Sequence, residues 1–300
     1  MQILLTGGTG LIGRRLCQYW LGQGHQLTVW SRRPAQVAKL CGAQVRGIGR
    51  LEEYGEQPLD AVINLAGEPI ADRPWTGRRR ALLWSSRITL TEQLLAWLEQ
   101  RQQRPAVLVS GSAVGWYGDT GEREVNEASQ PVKEDFASHL CLAWEETAQR
   151  AETLGIRVVL VRTGLVLASE GGMLSRMLPM FKLGLGGRIG NGRQWMPWIH
   201  VQDEIAVIDF LMQRNDASGP YNACAPEPVR NREFAQCLGK VLHRPAIIPV
   251  PALLLRAGLG EMSGLLLGGQ RARPARLLAA GFTFRFNDVQ SALDELSSRL

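Results

Sequence analysis

The chain has 300 residues, 45% hydrophobic and 21% charged, with a formal net charge of +6. That length fits two domains or one enlarged α/β unit, and the composition excludes a disordered chain. The basic balance does not by itself indicate nucleic acid: arginines are spread along the chain, and the one dense run, Arg78-Arg79-Arg80, has no interleaved aromatics.

Residues 2–6 form a short apolar run before glycines, which predicts a buried strand. Leu11, Ile12, Leu16, Trp20 and Leu21 follow at helical spacing, and Gly22 and Gly24 close that helix. Further strands are expected at 27–30, 43–48, 61–65, 106–109 and 156–161, with helices at 88–98 and 136–154. Strands alternating with helices predict a Rossmann-type doubly wound parallel sheet covered on both faces. Beyond Val161 the texture changes. Gly171-Gly172, residues 184–192 and Pro197 read as irregular and glycine-rich, with helices at 201–212 and 231–242, a helical tail from Pro249 and a short Phe282-Thr283-Phe284 strand. The expected organisation is a nucleotide-binding domain over 1–167, to which about 199–225 returns, and a smaller interleaved C-terminal domain over 168–300.

No apolar run reaches the ~20 residues of a spanning helix. The nearest, 251–269, is interrupted by Arg256 and Glu261. No secretory signal is expected, and five cysteines without a C-x-x-C pair point to a reducing cytoplasm and to no disulfide framework. Four scattered histidines make no metal site. The expected partner is a small molecule, with no nucleic acid and no membrane, and the chain is expected to be a monomer or homodimer.

The first strand runs into Thr6-Gly7-Gly8-Thr9-Gly10-Leu11-Ile12-Gly13. Gly7, Gly10 and Gly13 give G-x-x-G-x-x-G: a tight turn, close backbone approach to a pyrophosphate, and close packing of helix on strand. The helix N-terminus, opened by Thr9, Gly10, Leu11 and Ile12, offers N–H groups and a positive dipole end to phosphate. A strand before the motif and a helix after it make this a dinucleotide loop. An acid after the second strand would select NAD. Ser31-Arg32-Arg33 stands there instead, and a guanidinium can pair with a 2′-phosphate, so the expected cofactor is NADP(H).

The segments Thr6–Gly13, Asn64-Leu65-Ala66-Gly67-Glu68 and Ser110-Gly111-Ser112-Ala113 resemble the short-chain dehydrogenase/reductase superfamily, in its extended or atypical branch. Residues 184–194, Trp198-Ile199-His200-Val201 and Gly268-Gly269-Gln270-Arg271 narrow the resemblance to the bacterial "epimerase family protein" group, YfcH-like. The resemblance covers essentially the whole chain. It implies that Leu65, Ala66 and Gly67 wall the adenosine and ribose, that Glu68 faces the cofactor or a neighbouring arginine, and that Arg87 touches the cofactor. It also implies that Thr163, Gly164 and Val166 lie near the nicotinamide.

Standard members of that superfamily use a serine, a tyrosine and a lysine four residues after the tyrosine. Ser112 can be the serine. The four tyrosines, Tyr19, Tyr54, Tyr117 and Tyr221, are followed at that spacing by Gln23, Pro58, Gly121 and Ala225, so the pair does not exist in this chain. If Glu145 aligns with the acid further down the relevant helix, Ala137 and Cys141 hold the two places. His139 and Cys141 are substitute acids or, respectively, a surface and a packing residue. Tyr117 matches the loop tyrosine of extended relatives and is the aromatic hydroxyl expected near Ser112. In the glycine-rich segment, Arg188, Arg193, Trp198 and His200 either line a substrate cleft or join the domains, Trp198 by packing and His200 by anchoring the turn before Val201. Two functions stay open: an NADP(H)-dependent oxidoreductase or epimerase-like enzyme acting on a polar, nucleotide-sugar-like molecule, and a catalytically weak NADP(H) sensor or interaction protein.

Overall fold

A computed structural model describes residues 1–132 and 134–297. Strands β1 (Gln2–Thr6), β2 (Gln26–Trp30), β3 (Arg46–Ile48), β4 (Ala61–Asn64), β5 (Val107–Ala113) and β6 (Arg157–Thr163) are followed by β7 (Leu165–Ala168), β8 (Trp198–His200) and β9 (Gly219–Ala223). The central sheet has the order β9-β6-β5-β4-β1-β2-β3, and every pairing in it is parallel. Its inner strands are apolar on both faces because helices cover both. The β43–48 expectation shortens to Arg46–Ile48, since Gly42 accepts the Val45 N–H in a turn at 3.0 Å. β5 runs four residues past its expected end, Ser110 held between β4 and β6 and residues 111–113 paired with β6 alone.

The principal helices are α1 (Leu11–Gly22), α2 (Gly77–Ser85), α3 (Ile88–Glu99), α4 (Phe136–Gln149), α5 (Gly172–Lys182), α6 (Val201–Gln213), α7 (Asn231–Val241) and α8 (Val289–Ser297). One face of the sheet packs Leu16, Trp20, Val207, Ile208 and Leu211 from α1 and α6. The other packs Leu94, Leu95, Leu98 and Ala148 from α3 and α4. A third cluster, built on Leu174, Phe181, Trp198, Phe234, Phe286 and Leu293, joins α5, α7 and α8.

Two local expectations fail for identifiable reasons. α5 fills part of the stretch expected to be irregular: its breakers sit at its start, Gly172, and inside it, Pro179, while Leu174, Leu178 and Phe181 face the core at helical spacing. Residues 282–284 form no strand. The backbone next to them is held by a side chain, with the Arg285 and Phe286 N–H groups donating to the Asp203 carboxylate at 2.9 and 3.0 Å. Phe282 and Phe284 meet edge to face, centroids 4.8 Å apart.

Candidate active site

The strand order reverses between β1 and β4, the crevice where doubly wound sheets bind ligands. The glycine loop lies there. Gly7 has φ +70°, and a Cβ on it would sit 2.6 Å from the Leu65 carbonyl carbon. A Cβ on Gly13 would sit 2.6 Å from the Gly8 Cα, so α1 can approach the loop only without one. Gly10 caps α1 with no side-chain bond, which leaves the first-turn N–H groups for a ligand. Thr9 is half-buried. Leu11 packs on Gly171 and Gly172, and Ile12 packs on the sheet core. Those two therefore present backbone, not side chain, to the crevice.

At the end of β2, Ser31 donates its N–H to Ile48 at 2.9 Å, and its Oγ accepts from the Arg33 N–H at 3.1 Å. This turn projects Arg32 and Arg33 into solvent. The Arg32 guanidinium reaches Glu68 at 2.9 Å, and Arg79 reaches the other Glu68 oxygen at 3.4 Å. Glu68 thus faces arginines, the second of the two orientations open to it. Behind it, a buried chain fixes the end of β4. Ala66 N–H donates to Thr6 Oγ1 at 3.0 Å, Thr6 Oγ1 donates to Asn64 Oδ1 at 2.7 Å, and Asn64 Nδ2 donates to Thr91 Oγ1 at 2.8 Å. Leu65 packs on the core from this strand end. Arg87 sits between α2 and α3 and not within a helix. Its guanidinium lies against Gly67, donates to the Glu68 carbonyl at 3.1 Å and covers Trp144 at 5.3 Å.

The other side of the crevice is a closed polar network. Ser112 Oγ donates to Glu145 Oε1 at 2.6 Å. Arg162 meets the same carboxylate in bidentate fashion, Nε to Oε1 at 2.8 Å and Nη2 to Oε2 at 2.7 Å. Its Nη1 donates to the Tyr117 hydroxyl at 3.0 Å, and that hydroxyl lies 2.9 Å from both the Asn126 carbonyl and Asn222 Oδ1. The Arg162 guanidinium also stacks on Trp116 at 3.6 Å. Tyr117 is wholly buried, and burial pushes its phenol up to about 12 against the lowering pull of Arg162. Arg162, Glu145 and Asn222 were not anticipated as a unit. The readable signal was an arginine at the end of a strand buried on both faces, which demands a partner.

His139 stands on the exposed face of α4 with Glu134 at 3.1 Å. Cys141 is buried one turn before Glu145, and burial followed by the Glu145 carboxylate pushes its thiol up to about 12. Neither position places an acid in the crevice. Ala137 is buried beside them.

At the end of β6, Thr163 Oγ1 donates to Glu204 Oε1 at 2.8 Å. Glu204 is wholly buried in the first turn of α6, its Oε2 has no partner among the described residues, and burial raises its carboxyl to about 8. Gly164 N–H donates to Ala223 at 2.8 Å, and Val166 pairs with Ile199. Arg188 and Arg193 are exposed. Trp198 and His200, expected as alternatives to line a cleft, have no exposed surface. Trp198 packs in the third core cluster and donates Nε1–H to the Glu227 carbonyl at 3.0 Å. His200 caps α6, its Nδ1 accepting from Gln202 N–H at 3.2 Å, which puts the ring proton on Nε2 toward Glu295 at 3.1 Å. Structural packing is the reading that geometry supports for both.

Comparison with known proteins agrees with this fold. The sequence profile of the NAD dependent epimerase/dehydratase family matches residues 3–224, and a domain of unknown function, DUF1731, matches 250–296. The chain is 38% identical to the epimerase family protein YfhF of Bacillus subtilis, over 99% of this chain and 98% of that protein. It is also 38% identical to the chloroplastic SDR39U1 homolog of Arabidopsis thaliana, covering 98% of this chain and 86% of that protein. The human epimerase family protein SDR39U1, solved with NADPH, superposes with a TM-score of 0.92 at 36% identity over the whole of both chains. UDP-glucuronic acid 4-epimerase of Bacillus cereus shares the fold, with a TM-score of 0.81 at 17% identity.

Proposed function

The chain belongs to the NAD dependent epimerase/dehydratase family, and from that premise we propose that it binds NADPH across the β1/β4 crevice and uses it on a small polar molecule. The observation that carries the cofactor is the pair of exposed guanidiniums, Arg32 and Arg33, at the position where an NAD site carries an acid. The loop fits a pyrophosphate: α1 is uncapped, and Gly7 and Gly13 stand where any side chain would close the approach. In this reading Arg32 binds the 2′-phosphate with Arg33 as auxiliary, Leu65, Ala66 and Gly67 wall the ribose, and Arg87 holds that wall from behind. Thr163, Gly164 and Val166 border the nicotinamide.

Bound there, the cofactor supplies hydride chemistry. Among the described residues the crevice presents no free proton donor of the usual kind, because the Ser112 hydroxyl donates to Glu145 and the Tyr117 hydroxyl is held by Arg162 and Asn222. Ser112 Oγ keeps acceptor capacity, and Arg188 and Arg193 offer charge to an anionic ligand. The same network favours a second reading, a sensor that binds NADPH without turnover.

Calorimetry with NADPH and NADH, on the wild type and Arg32→Ala, tests the cofactor. A charge-assisted contact contributes about 1.5–3 kcal/mol. NADPH should bind roughly ten- to a hundred-fold more tightly than NADH, and Arg32→Ala should remove most of that difference. Equal wild-type affinities would refute it. A carbonyl screen following NADPH oxidation then separates enzyme from sensor.

A further inference from the structure

The least covered apolar side chains gather on one face, where segments 182–190 and 244–254 meet. Leu183, Ile247, Leu253 and Leu254 are 71, 78, 76 and 66% exposed. Backbone bonds bring their segments together. Ile248 N–H donates to Gly186 at 3.1 Å, Val250 N–H to Arg188 at 2.9 Å, and Gly190 N–H returns to Val250 at 2.9 Å. The Arg244 Nε donates to the Lys182 carbonyl at 2.9 Å, which ties 182–183 to 244. The helix Ala252–Leu259 starts from that junction and has no buried residue. A monomer rarely leaves such a contiguous patch bare, so the patch marks an interaction surface.

Charge says what covers it. Segment 180–193 carries Lys182, Arg188 and Arg193, segment 240–260 carries Lys240, Arg244 and Arg256, and neither contains an acidic residue. A second copy meeting this face would oppose like charges. Shape points the same way. Side chains two-thirds to four-fifths exposed are protrusions, which lipid accommodates without matching hollows, whereas a protein partner needs complementary pockets. We propose that this face docks on an anionic membrane surface, with Leu183, Ile247, Leu253 and Leu254 entering the acyl boundary and Arg244 and Arg256 meeting lipid phosphates. Among the described residues no helix is long and apolar enough to cross a membrane. The contact is peripheral, a mode of membrane binding that needs no spanning length.

The test is co-sedimentation of the full chain with vesicles of phosphatidylcholine alone and of phosphatidylcholine mixed with phosphatidylglycerol. Binding should need the anionic lipid and weaken several-fold as salt shortens the Debye length from about 10 Å to about 3 Å. The double substitution Leu253→Glu, Leu254→Glu should reduce it by about ten-fold or more, and Arg244→Gln with Arg256→Gln by several-fold. These side chains are exposed, so melting temperature and NADPH affinity should stay at wild-type values, which separates lost docking from lost folding. Failure to bind anionic vesicles, or undiminished binding by both variants, overturns the proposal. So does a dimer, seen by light scattering, that the double leucine substitution dissociates.

Discussion

At the end of β2, the Arg32 and Arg33 side chains stand exposed, Arg32 in a solvated pair with Glu68. At the ends of β5 and β6, Ser112 and Arg162 donate to the buried Glu145 carboxylate, and Arg162 also donates to the Tyr117 hydroxyl. Both regions lie at the carboxyl edge of one parallel sheet, so topology does not separate them. The difference is burial. An exposed guanidinium can wait for a ligand because water satisfies it meanwhile, whereas a buried one must have its partner inside the fold. The proposed cofactor edge can therefore be open and the edge that carries Ser112 closed within one fold, and the closed edge is the one that departs from the tyrosine–lysine pattern.

The sharpest way to break this contrast is to remove one side of the closed network. Arg162→Met leaves the Glu145 carboxylate buried with only Ser112 to meet it. A loss of about 3–5 kcal/mol is expected in urea unfolding, as when one partner of a buried pair is removed. Adding Glu145→Leu should recover much of that loss, since no buried charge is then stranded. A small single-variant effect would mean that water reaches the pair.

Trp198→Ala belongs at the same scale. Its ring is wholly enclosed with Phe234 and Phe286, so about 3–5 kcal/mol should go in thermal or urea unfolding. NADPH affinity should barely move. If affinity falls instead while stability holds, Trp198 touches ligand after all.

These two sites also show what was legible in the sequence. The Gly7–Gly13 loop, the run of parallel strands and the Ser31-Arg32-Arg33 turn are local: each is a few consecutive residues whose spacing carries its geometry. The network is not local. Ser112 and Glu145 are separated by 33 positions, Tyr117 and Asn222 by 105, and only the packing of α4 on the sheet brings them together. Trp198 and His200 misled for a related reason: arginine, tryptophan and histidine among glycines suit a cleft and a domain seam equally, and burial alone distinguishes them. β9 and α5 were hidden by Gly219, Pro220 and Pro179, residues that break most strands and helices; the first two are tolerated at the start of an edge strand, and Pro179 lies inside α5.

Glu204 gives an effect of intermediate size that depends on pH. Its folded carboxyl lies at about 8, above the ordinary unfolded value near 4.5. Below the unfolded value both states hold the proton and nothing is lost. As pH rises through the window up to about 8, the unfolded chain releases a proton that the folded one keeps, so stability falls by up to about 1.4 kcal/mol per pH unit. Glu204→Gln, which mimics the protonated form, should flatten that decline relative to wild type in urea midpoints taken between about pH 5 and 8.5. Parallel pH profiles for the two proteins would show that the acid is ionised and solvated in the fold.

The smallest effect tests the exposed face of the helix that holds Glu145. His139 pairs with Glu134 at 3.1 Å, with both side chains more than half exposed. Such a pair contributes little, because solvent screens it and two mobile side chains must be held together. His139→Ala should change unfolding stability by less than about 0.5 kcal/mol. It should also leave NADPH affinity alone, since Ser112 and the network behind it lie on the buried side of α4. The informative measurement is NADPH oxidation by the variant with any substrate the wild type accepts. An unchanged rate keeps the outer face of α4 out of any chemistry, whereas a rate loss of ~10²-fold, the scale of a positioned acid, would bring that face into it and require the helix to turn on ligand binding.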